Sequence, residues 1–162
     1  MRLAVGDVVV YGAHGAGSIT ARKTGVVLGE RQEVIVLALS GGLSVELPIP
    51  RARELLRPVA DEGEIGRVQR VLSTDAVASE QSWVKRQQEM QVKLGSVLGL
   101  AEIVRDGTSR GAARRPSQLS PSESALLTKA RELLETEIAL SRGVERAEAS
   151  GWIDAQLASQ SS

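Results

Sequence analysis

The chain has 162 residues, 42% of them apolar and 25% charged, with 20 basic and 20 acidic side chains and no cysteine. That is the composition of a soluble globular chain with room for one or two small cores, and no apolar run reaches the length of a membrane span. Disulfides, thiolate nucleophiles and cysteine-based metal sites are excluded, and a net charge of zero gives no overall pull on a polyanion.

The opening, "MRLAVGDVVVYG", holds a short apolar stretch interrupted by Gly6 and Asp7. It lacks the long apolar segment and small-residue cleavage site of a secretion signal, so a cytoplasmic location is expected. Residues 1–60 read as β. "DVVVYG" is short and β-branched, "GSITARKT" alternates loosely, and "EVIVLAL" is a continuous apolar run of the kind buried on both faces. "LSVELPIP" alternates again, with Leu43, Val45 and Leu47 on one face. Gly41-Gly42 between the last two runs is a hairpin signal, and Pro48 and Pro50 end the last strand because proline cannot donate to a ladder. Four or five short strands in this span predict a small, bent SH3-like or Tudor-like barrel.

Beyond a boundary near residues 58–62, around Pro58, the period changes to that of helices. The expected domains are therefore 1–58 (β) and 62–158 (all-α), with a disordered tail at 159–162. This is an α+β chain with its two classes segregated. "EIGRVQRVL" places Ile65, Val68 and Leu72 on one stripe. The segment from Ser82 places Trp83, Met90, Leu94 and Val97 on another. "LGLAEIVRDG" predicts a short helix that Gly107 ends, followed by a polar, Arg-rich loop to Gln118. "SPSESALL" opens the clearest helix. Ser120 is the N-cap, Pro121 fits the first helical position, and Glu123 completes a capping box. Leu127, Ala130, Leu134 and Ile138 follow at helical spacing, and Gly143 is a natural stop. A last helix is expected from about Val144 to Leu157, weakened by Gly151.

Catalytic chemistry finds little support. The one histidine, His14, sits in "YGAHGAGS" without the neighbours that a metal site or a Ser–His–Asp triad needs. Gly12, Gly15 and Gly17 do not have the Gly-x-Gly-x-x-Gly spacing of a phosphate cradle. They suit a tight strand connection better. Glu135 and Glu137 are two apart on a helix and do not share a face. No enzyme activity, metal or cofactor is expected.

Charge is unevenly spread. Residues 61–82 carry two basic and five acidic side chains, residues 83–131 nine basic and four acidic, and residues 132–162 two basic and six acidic. Such a band can seat a polyanion, or be an ordinary set of solvated helix faces. Trp83 stands at the start of the band, with Lys85 and Arg86 just after it. A tryptophan in a first helical turn is either a core anchor or, beside cations, a wedge or stacking platform for DNA. Trp152, on an acidic helix near the C-terminus, reads as packing.

The motifs in order resemble the CarD-like (CdnL) bacterial transcription regulators over nearly the whole length. "VGDVVVYGAHGAG" is similar to that family's opening. "SWVKR" resembles its Trp followed by basic residues, "LAEIVRD" the next helix, and "LSPSESALLTKARELLETEIAL" its most recognisable helix. The resemblance implies a Tudor-like first domain that binds the RNA polymerase β subunit. It also implies a helical second domain that touches the promoter minor groove at the upstream edge of the melted −10 region, stabilising the open complex. Carried over, Trp83 is the wedge, Lys85 and Arg86 hold the DNA backbone beside it, and Lys129 and Arg131 are further phosphate contacts. Arg22, Lys23 and Glu46 fall on the polymerase side. Glu46 stands where relatives commonly carry a basic residue, and a Gln follows the basic pair after Trp83 where an aromatic is usual. The implied protein is a nucleoid-associated monomer. Two rivals remain. One is a protein–protein adaptor without DNA contact, with Trp83 buried and the cations scattered. The other is a small-molecule site at the glycine-rich loop near His14.

Overall fold

The computed structural model describes residues 3–39, 42–76, 82–113 and 120–160, without the side chains of residues 83 and 110–113. The chain divides into two compact units, Met1–Val59 and Ala60–Ser162.

The first unit is a five-stranded antiparallel sheet in the order β4-β3-β2-β1-β5. Its strands are β1 (Val8–Val10), β2 (Ala16–Val27), β3 (Glu30–Leu39), β4 (Ser44–Pro48) and β5 (Arg57–Pro58). A 3-10 turn, Gly12–His14, joins β1 to β2, with Gly12 and Gly15 at φ 47° and 93°. These two glycines supply the backbone angles expected of a tight connection. Gly17 serves a different need: a Cβ there would lie 2.6 Å from Ala38 O on β3. A register shift between Ile19 and Ala21 marks a bulge that bends β2. Before the bulge the sheet covers a core of Leu3, Val9, Ile19, Ile35, Leu37 and Leu56. Beyond it β2 and β3 project as a hairpin, with Leu28 at its tip fully exposed and at φ 51°.

Three expectations are corrected. "EVIVLAL" is not buried on both faces: from Ile35 onward burial alternates, with Ile35, Leu37 and Leu39 inside and Val36 and Ala38 half-buried. Leu43 is 60% exposed, because it precedes the strand rather than joining the face of Leu47. Pro48 and Pro50 do stop β4, but they also start a helix, α1 (Ile49–Leu55), whose Ala52 is buried in the core. Proline suits the first helical turn, where its missing N–H leaves no partner unsatisfied. The two-residue β5 then pairs with β1, and Pro58 is tolerated there because it lies at the sheet edge.

The second unit consists of α2 (Glu62–Ser73), α3 (Trp83–Lys93), α4 (Val97–Ala113), α5 (Pro121–Arg142) and α6 (Arg146–Ala158). Asp61 and Glu64 form a reciprocal capping box at the start of α2. The stripe Ile65, Val68 and Leu72 is fully buried as predicted. So are Ala130, Leu134 and Ile138 of α5, whose cap Ser120 Oγ accepts from Glu123 N at 3.1 Å and whose stop Gly143 is left-handed at φ 66°.

Gly107 does not end a helix; α4 runs past it to Ala113. A Cβ at 107 would meet Leu127 Cδ1 at 2.8 Å, so this glycine lets α4 and α5 pack closely. The rest of the expected Arg-rich loop, 114–119, lies outside the described residues. A loose tail from 159 is not seen at its first two positions. Ser159 caps α6, and Gln160 Nε2 donates to Leu72 O at 2.9 Å.

Candidate nucleic-acid interface

The first turn of α3 is well defined. Ser82 is its N-cap, with Oγ accepting from Lys85 N at 3.4 Å and its carbonyl from Arg86 N at 3.0 Å. Trp83 opens the helix, and its side chain lies outside the described residues. Lys85 is exposed. Arg86 instead turns onto α5, its Nη1 2.8 Å from Glu123 Oε1, with the two side chains only 14% and 8% exposed.

On α5, Lys129 is exposed. Arg131, two residues on, lies about 200° around the helix from it. Arg131 faces α6: Nε donates to Glu135 Oε2 at 3.1 Å, while Nη2 reaches Ser150 Oγ at 3.0 Å and Asp154 Oδ1 at 2.8 Å. Glu135 also accepts from Arg146 Nε at 3.0 Å. Trp152 packs against the Arg142 guanidinium, 4.8 Å from its ring centroid. The four expected DNA-facing cations therefore do not converge as one patch. Lys85 and Lys129 present charge to solvent, whereas Arg86 and Arg131 are each held by a carboxylate of the same unit.

Electrostatics follow from these contacts. Burial works against the Arg131 charge, but hydrogen bonds to Asp154 and Glu135 outweigh it and hold the guanidinium more firmly protonated than a free arginine. Burial likewise works against the Glu135 carboxylate. Hydrogen bonds from Ser150, Arg146 and Arg131 outweigh it and hold the carboxyl below its ordinary 4.5. Since the folded value is the lower one, the stability this group adds is complete above about pH 4.5 and is lost as pH falls through the folded value. Glu135→Gln should therefore be less stable than wild type at pH 7, and the gap should narrow as pH falls below about 4.5 and close once it has passed the folded value. Urea denaturation at a series of pH values reads it.

In the β unit, Arg22 and Lys23 point to opposite faces. Arg22 pairs with Glu33 at 2.7 Å and donates to Leu3 O at 3.1 Å. Lys23 forms an ion pair with Glu46, two strands away on the same face. The register explains it: Ala21 stands beside Val36, and Val36 beside Glu46, so Lys23 lies diagonally across from the carboxylate. The acidic residue at 46 is thus answered by a cation of its own sheet.

The other chemical candidates disperse. His14 stacks edge-on against Tyr11, with ring centroids 4.7 Å apart. Glu137 accepts from Ala60 N at 2.9 Å, away from the Glu135 network. Among the described residues no group of three His, Cys, Asp or Glu side chains could hold a metal, and no helix is long and apolar enough to cross a membrane. The sequence reading missed the Arg86–Glu123 and Glu137–Ala60 contacts, which join residues 37 and 77 apart. The Arg131–Glu135 pair was open to discovery from its i,i+4 spacing.

The chain thus has an antiparallel β unit followed by a helical unit, with Lys85 and Lys129 exposed on α3 and α5. Residues 3–60 match the CarD-like/TRCF RID domain, and residues 67–154 match the CarD C-terminal domain. The chain belongs to the CarD family. It is 27% identical over 144 residues to "Putative transcription factor YdeB" of Bacillus subtilis (strain 168), a match covering 86% of this chain and 92% of that protein.

Proposed function

We propose that the β unit binds the RNA polymerase β subunit, and that the helical unit stabilises the open promoter complex by touching the minor groove at the upstream edge of the −10 bubble. The observation that carries this reading is the match of both family domains, in order, over most of the chain. Trp83 is the wedge, Lys85 and Lys129 meet phosphates, and Arg86 and Arg131 support that surface from within. Arg22, Lys23 and Glu46 belong to the polymerase-binding side. In this reading the protein acts at the nucleoid.

The energetics are modest and sufficient. A protein that binds the open state better than the closed one shifts the equilibrium by its differential affinity, about 1.4 kcal/mol for each factor of ten. A wedged or stacked aromatic supplies roughly 1–3 kcal/mol. Tethering to polymerase raises the local concentration, so weak DNA affinity is enough. That agrees with a chain of zero net charge.

The test is open-complex lifetime on a promoter with matched polymerase. The wild type should lengthen it, and Trp83→Ala should remove about fivefold or more of that gain while still binding polymerase. Equal lengthening by both would return Trp83 to the core. The internal pairing of Arg86 and Arg131 favours a second reading, an adaptor without DNA contact. It predicts lifetimes that do not respond to Trp83→Ala or Lys85→Ala.

A further inference from the structure

We infer that Arg86 and Glu123 form a positioning pair that sets the first turn of α3 against α5, and that Arg86 acts through this pair rather than by contacting phosphate. The inference rests on the reading of Trp83 and Lys85 as DNA-facing.

α3 is weakly anchored along its length. Among its described side chains none is fully buried, and Val84 and Val92 are 65% and 81% exposed. The chain is held just after the helix, where Leu94 is 1% exposed, and Lys93 lies 3.4 Å from Glu102 of α4. Near the N-terminal end, Arg86 Nη1 meets Glu123 Oε1 of α5 at 2.8 Å, largely shielded from water. A helix with so little buried surface is free to roll about its axis unless something near each end fixes it. Residue 86 lies within one turn of the start of α3, so fixing it fixes the bearing of the turn that carries residues 83 and 85.

The α5 side of the pair is capped and shielded from water. Glu123 stands in the first turn of α5, where a carboxylate is favoured by the helix dipole, and its backbone N–H is held by Ser120 Oγ at 3.1 Å. A phosphate drawing Arg86 outward would compete with this shielded carboxylate, and parting the two would cost the pair its close, water-excluded contact. Arg86 therefore adds geometry to the surface, while Lys85 beside it adds the charge.

The two roles predict effects of opposite sign when Glu123 is neutralised. If Arg86 were a phosphate contact, Glu123→Gln would release a cation, lengthen open-complex lifetime and steepen its salt dependence by about 0.9 in log–log slope. For a positioning pair, Glu123→Gln should shorten the lifetime about fivefold, and Arg86→Gln should shorten it by a similar factor. The double variant should be no worse than either single one, and the salt slope should stay at the wild-type value. Amide hydrogen exchange of residues 84–90 in the free, full-length protein should speed up in both single variants, while the buried centre of α5 keeps its protection. That readout does not involve DNA. A lifetime for Glu123→Gln at or above the wild-type value, or unchanged exchange in α3, would overturn the inference. Lys85→Ala separates the two layers: if it shortens the lifetime while Glu123→Gln does not, the positioning role fails and the DNA reading stands. If wild type and Lys85→Ala behave alike, the DNA reading fails and the positioning role falls with it.

Discussion

Gly99→Ala is expected to cost the helical unit about 2–3 kcal/mol, although alanine is intrinsically the better helix former by about 1 kcal/mol. The reason is the corner between α3 and α4. A Cβ at residue 99 would lie 2.2 Å from Lys93 O and 2.7 Å from Lys93 Cα. Both are backbone atoms at the end of α3, so no side chain can rotate away to make room. The corner would have to open, pulling at Leu94 and Val97, which are 1% and 3% exposed, and at the Ser96 Oγ cap on Gly99 N. Gly107→Ala is the contrasting case. Its Cβ meets the end of the Leu127 side chain at 2.8 Å, and that side chain can shift. There the gain in helix propensity offsets most of the clash, and a change within about 1 kcal/mol is expected. At roughly 4–8 °C per kcal/mol for a unit of this size, Gly99→Ala should melt at least about 4 °C below Gly107→Ala. Thermal and urea denaturation decide it. Gly99→Ala should also weaken any DNA-dependent effect at temperatures where it remains folded, because α3 leaves the corner at a new angle.

These two glycines show why part of the fold was legible in the sequence and part was not. The α2 and α5 stripes could be read because apolar residues recur at helical spacing and end at residues that do one local job: Ser120 as a cap and Gly143 as a left-handed stop. Gly107 carries the same letter but answers to Leu127, 20 positions away, and local sequence alone cannot tell that role from a stop. Helix α1 was hidden by its prolines, which mark both the end of a strand and the first turn of a helix. Strand β5 has two residues and no period to detect. It exists because β1 offers an edge.

The candidate site divides in the same way. That Lys85 and Lys129 carry exposed charge needs only local position on a helix. The partners of Arg86 and Arg131 are tertiary. Glu123 looked like half of a capping box, yet its carboxylate meets a guanidinium from another helix. Asp154 lies 23 residues beyond the arginine it holds. Composition showed a basic band, but not that Arg86, Arg105 and Arg131 within it are each paired with a carboxylate of the same unit. The Lys23–Glu46 pair depends on registers across two strand pairs, and those registers are set partly by the bulge near Ile19.

Glu137→Ala should destabilise the helical unit by about 2–4 kcal/mol, the sum of a lost acceptor and a new cavity. Glu137 is 2% exposed and accepts from Ala60 N at 2.9 Å, and Ala60 is itself 3% exposed. One turn further along α5, Ser141 Oγ donates to Ala60 O at 2.5 Å. Both backbone groups of Ala60 are therefore satisfied by α5 side chains, which fasten the entry to α2 just before its Asp61 cap. Alanine at 137 would leave the Ala60 N–H buried without this acceptor. Glutamine keeps a carbonyl oxygen in the same place and removes the need to bury a charge, so Glu137→Gln should cost no more than about 1 kcal/mol. Urea denaturation of the two variants, with hydrogen exchange at Ala60, separates the acceptor from the charge. A large loss for alanine and a small one for glutamine assigns the role to the hydrogen bond. Equal large losses would assign it to the carboxylate charge and to contacts of Glu137 beyond Ala60.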